Sequence, residues 1–148
     1  MQVFERLHPG YGIAVLRIMV GLVLFQAGYA KLVGPGVAGI AGFFGNVGIP
    51  MAPVMAPLVI GFEVIAGLLL IAGAFTRFVG PLMVVQFLVA GLMVTLPSQQ
   101  GWNAARLDFL LAAAGGLFLL TGAGAWSVDS WLASRAGVGA GRQTRSFA

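Results

Sequence analysis

Cysteine is absent from the 148 residues, histidine occurs once, and only four side chains are acidic. Without thiols the chain has no disulfide, thiolate metal site, iron–sulfur ligation or thiol redox chemistry of its own. A lone His8 cannot build a bis-histidine haem, and the sequence contains no cluster of His and carboxylates at metal-binding spacing. It also contains no Gly-rich phosphate loop opening a helix and no nucleophile–base pair, so nothing in it marks an enzyme with its own active centre. Charge is scarce as well, at 8% of residues, where a water-soluble domain carries about a quarter. The net charge of +4 is spread over eight basic and four acidic residues without a Lys or Arg run, which excludes a nucleic-acid footprint.

Apolar residues make up 59% of the chain, so its solvent is mostly lipid. A helix needs roughly 20 apolar residues to cross the hydrocarbon core. Four segments reach or approach that length: Tyr11 to Leu32, Val54 to Ala74, Phe78 to Leu96, and Leu107 to Ala123. The last is the shortest, and Gly115-Gly116 lowers its helix propensity. Arg17 within the first apolar stretch argues for a span there rather than a cleaved leader. The expected fold is all-α: a four-helix transmembrane bundle over residues 1–135, followed by a disordered cytoplasmic tail over 136–148.

The links refine this picture. Ala74-Phe75-Thr76-Arg77 is too short for anything but antiparallel neighbours. Between the first two spans, Val37, Ile40, Phe44 and Val47 recur on one helical face before Pro50 and Pro53, which predicts an amphipathic or re-entrant segment. Ser127 is placed to cap a short interfacial helix through Arg135 with Trp131 and Leu132 toward lipid. Arg6, Arg77, Arg135, Arg142 and Arg145 fall on one side against Lys31 and Arg106 on the other, so both termini are expected in the cytoplasm.

Ionisable groups within spans are costly and turn inward. At 100° per residue, Arg17 shares a stripe with Gly21, Gly28 and Lys31; Glu63 with Gly67 and Leu70; Gln86 with Ala90; and Asp108 with Ala112 and Gly115. Small residues allow close helix approach, so these polar groups are expected inside the bundle. Depth suggests two pairs. Arg17 and Glu63, with Gln86 nearby, form a polar core that either fixes register or binds a ligand or proton, and Lys31 with Asp108 forms an outer pair. Gln26 falls on the opposite face from Arg17. Ala66 and Gly73 on the second span, and Ala113 and Gly116 on the fourth, are read as outward faces suited to docking another helix.

Leu16-Arg17-Ile18, Gly21 and Gly28-Tyr29-Ala30-Lys31-Leu32 resemble the first helix of the DoxX family of bacterial membrane proteins. The likeness continues through Gly39-Ile40-Ala41-Gly42-Phe43-Phe44, Gly48-Ile49-Pro50, the run from Glu63 to Arg77, and Gly124-Ala125-Trp126-Ser127-Val128-Asp129. It implies four transmembrane helices in a bacterial cytoplasmic (inner) membrane, and it matches the family's recurrent Arg and Glu to Arg17 and Glu63. Some related proteins are subunits of membrane oxidoreductase systems, quinone-linked ones among them, while many members have no assigned activity. Small size, the lack of redox groups and extensive Gly and Ala surfaces lead to the expectation of an accessory or assembly subunit without a cofactor of its own, packed against other membrane subunits of a redox complex. The alternative is a carrier holding a bound quinone or lipid at Arg17, Glu63 and Gln86.

Overall fold

The computed structural model describes residues 9–99 and 101–137, which form six helices and one π-helical segment. They are α1 (Pro9–Val33), α2 (Gly36–Asn46), α3 (Ala52–Ala72), α4 (Thr76–Val89), a π segment continuing it (Ala90–Thr95), α5 (Trp102–Thr121) and α6 (Val128–Gly137). Four are long and apolar enough to cross a membrane: α1, α3, α4 with its π extension, and α5. The α5 span starts at Trp102, five residues before the expected Leu107, because Asn103 and Arg106 at its exposed end are tolerated near the interface. The tail beyond 137 lies outside the described residues.

Glycine decides which helices pair. A Cβ on Gly21 would lie 2.8 Å from the Gly67 carbonyl oxygen, and one on Gly67 would lie 2.6 Å from the Phe25 nitrogen, so α1 and α3 touch backbone to backbone. Gly80 and Gly115 do the same for α4 and α5, at 2.6 and 2.7 Å from each other's carbonyls. In lipid, where apolar burial gives little drive, such approach is a main source of helix association. Gly115 thus strengthens the span whose propensity it lowers. Leu24, Leu70, Met83, Leu111 and Phe118 fill the shared core between the two pairs.

One end of the bundle carries the start of α1, the α3–α4 turn and α6; it is called the proximal end here. At the distal end, α2 folds over α3 by burying Ile40 against Ala56 and Ile60, as the amphipathic pattern predicts. Val37 and Val47 of that pattern remain 38% and 39% exposed. The expected docking faces divide. Ala66 is only 2% exposed within the core and Gly73 is packed against Arg17, so neither is free to receive another helix. Gly116 has nothing within 4 Å of where its Cβ would stand, and Ala113 is exposed, so the α5 face is open.

Candidate functional site

The antiparallel packing of α1 on α3 sets Gly28 opposite Glu63, whose Cβ would be 2.9 Å from a Cβ on Gly28. Lys31 is one turn farther along α1, and its amine meets both Glu63 oxygens, at 2.6 Å to Oε1 and 2.5 Å to Oε2. The ammonium also lies in the last turn of α1, where the helix dipole favours a cation. From α4, the Gln86 amide donates to Glu63 Oε1 at 3.3 Å, the side-chain bond that ties the two helix pairs together. The carboxylate is 3% exposed while the Lys31 side chain is 33% exposed, so the cluster is buried at Glu63 and opens at Lys31.

Asp108 joins a different partner. The π segment turns through i to i+5 bonding, with the Leu96 amide donating to the Gly91 carbonyl at 2.8 Å. Its wider turn brings the Thr95 hydroxyl 2.5 Å from Asp108 Oδ2 on α5, to which it donates, and 3.1 Å from the Ala90 carbonyl.

Arg17 stands apart at the proximal end, fully buried. Its Nη2 donates to the Trp126 carbonyl at 2.9 Å, while Nε and Nη1 have no hydrogen-bond partner among the described residues. The guanidinium fits where Gly73 lacks a side chain, since a Cβ there would be 1.6 Å from Nη1. Gly73 caps the C-terminus of α3 with φ 72°, so the cation sits against the negative end of that helix dipole. Trp126, with φ 49°, is the left-handed residue that turns its carbonyl to Arg17. Behind it Asp129 accepts from the Phe75 and Thr76 amides at 3.0 and 3.1 Å, capping α4 from another element.

Both expected ion pairs are therefore replaced. Arg17 does not meet Glu63: with Gly28 as the counterpart of Glu63, Arg17 is eleven positions away, about 16 Å along the axis. Lys31 pairs with Glu63 rather than with Asp108, because α1 packs on α3 and α5 packs on α4. The structure brings together Lys31, Glu63 and Gln86, places Arg17 well apart from them, and bonds Asp108 to Thr95 rather than to any of the three. Helical periodicity and charge do not mark Thr95, Trp126 or Asp129 as site residues. The sequence shows only that the first amides of α4 need a partner at the same membrane end, and it does not single out Asp129, more than fifty positions later, for them.

Two kinds of comparison bear on this arrangement. The model of the DoxX family matches residues 12–96. A Bacillus subtilis (strain 168) protein named "Putative oxidoreductase CatD" is 31% identical over 121 residues, 82% of this chain and 87% of that one. A Mycobacterium tuberculosis protein named "Uncharacterized membrane protein Rv3486" is 32% identical over 134 residues, 82% of this chain and 81% of that one. No solved structure matches.

Proposed function

Because this chain belongs to the DoxX family, we propose that it is a membrane subunit acting by contact within a larger redox assembly, contributing helices rather than an active centre. The observation that carries the reading is how the span carboxylates are occupied. Both oxygens of Glu63 are held by Lys31, with Gln86 on one of them, and Asp108 is held by Thr95. Groups so engaged act as clamps that set helix register, a well-attested use of buried polar residues. The oxidoreductase name of the Bacillus relative supports the redox setting. The open α5 face at Ala113 and Gly116 supports docking of another helix there.

Purification from native membranes in mild detergent, followed by mass spectrometry, tests this. A co-purifying redox protein, recovered less with Gly116→Leu per inserted molecule, is the expected result. Isolated protein that alone turns over a quinone or thiol substrate would overturn it.

A second reading, binding of a quinone or lipid, draws on one feature. Between α1 and α5 runs a groove of about 360 Å³, lined by apolar side chains including Leu16, Val20, Val23, Leu111 and Leu117. Its size and lining suit an isoprenoid or acyl tail. Val20→Trp should then reduce the amphiphile recovered with the protein, and equal recovery would count against the groove.

A further inference from the structure

Gln26 turns away from the bundle. It is exposed, and none of the side-chain hydrogen bonds among the described residues involves it. It lies seven positions before the end of α1 at Val33, about 10 Å down the helix and within the depth of the hydrocarbon layer. An amide there faces lipid, which offers it neither a donor nor an acceptor. Around it α1 presents Val15, Met19, Leu22, Tyr29 and Val33, which are 57%, 56%, 47%, 54% and 65% exposed. With Gln26 these residues follow steps of four, three, four, three and four, the spacing of a seam along which two helices cross at a shallow angle.

We infer that this face of α1 binds a second copy of the same chain, with the two Gln26 amides hydrogen-bonded across a two-fold axis normal to the membrane. The chemistry of the amide selects that partner. It carries donor and acceptor together, so two amides related by a two-fold exchange two hydrogen bonds and satisfy each other. Depth selects it too. Any partner must present a polar group at the level of Gln26, and a copy inserted with the same topology does so by symmetry, with its α1 parallel to the first. An acyl chain satisfies the apolar seam but leaves the amide unpaired. The inference is independent of the redox reading, because it needs no other protein and is tested without one.

The full chain, reconstituted alone in phosphatidylcholine liposomes at low protein-to-lipid ratio, should show dimers by single-molecule photobleaching. Gln26→Leu, which lipid accommodates readily, should lower the association constant about 3- to 30-fold, while Gln26→Asn should retain part of the association. Because the chain has no cysteine, single thiols report the seam directly. Met19→Cys should form a covalent dimer under mild oxidation far faster than Leu82→Cys, which lies 57% exposed on α4. A monomeric wild-type protein, undiminished association of Gln26→Leu, or equal cross-linking at positions 19 and 82 would each overturn the inference.

Discussion

Glu63 is 3% exposed, so its stability depends on the groups that neutralise it. Removing Lys31 alone strands a buried carboxylate, whereas removing both charges leaves a poorer but neutral contact. Lys31→Met should therefore destabilise the bundle by about 3 kcal/mol, the low end for a buried pair because the lysine is a third exposed. The double substitution Lys31→Met with Glu63→Leu should cost less than the sum of the singles, read from unfolding in mixed micelles. Arg17→Leu combined with Glu63→Leu should instead be additive to within about 0.5 kcal/mol, since no partner links them. The side chains that matter here were legible in the sequence, but their pairing was not. Periodicity fixes the face a residue occupies, and Arg17, Lys31 and Glu63 do face inward. Pairing depends on the axial register of α1 on α3, which Gly21, Gly28 and Gly67 set by backbone contact. Nothing in one helix's own pattern states that offset.

At the scale of elements, the segment from Gly124 to Asp129 is what closes the proximal end. The Ala125 amide donates to the Gly10 carbonyl at 3.0 Å and the Asp129 amide to the Gly73 carbonyl at 3.1 Å, so the segment bridges α1 and the α3–α4 turn. Ser127 then caps α6, accepting from the Ser130 amide at 3.0 Å, and Arg135 lies 3.9 Å from the centre of the Trp131 ring. The short helix and its cap were legible from Ser127 and the aromatic pattern. Its long-range docking was not, because Asp129 caps a helix more than fifty positions earlier in the chain. Asp129→Ala should free the Phe75 and Thr76 amides and cost α4 about 1–2 kcal/mol of local stability. Their hydrogen exchange should rise by about tenfold, with amides near Met83 little changed. Gly73→Ala attacks the same junction from the other side. It forces a Cβ into a left-handed residue and onto the Arg17 guanidinium, and should lower the unfolding temperature more than Gly116→Ala, which meets open space.

The whole molecule has a direction as well as a shape. Four spans and the short α3–α4 turn place the beginning of α1, Arg77 and α6 together at the proximal end, and α2 and the α4–α5 link at the distal end. The charges are unevenly divided between them. Arg77 and Arg135 are proximal with Arg6, Arg142 and Arg145 in the flanking sequence, while Lys31 and Arg106 are distal. Lys31 counts for less than its charge, because Glu63 neutralises it within the membrane. Basic residues in short loops resist translocation, so the proximal end is expected to face the cytoplasm. The cysteine-free sequence allows a direct reading. In right-side-out membrane vesicles, a thiol reagent that cannot cross the bilayer should label Asn46→Cys and Ser98→Cys and spare Arg77→Cys until the vesicles are opened. To keep the charge bias intact, the Arg77 site should also be probed through Phe75→Cys, which is 63% exposed in the same turn. Labelling of Phe75→Cys from outside, with Asn46→Cys protected, would invert the orientation.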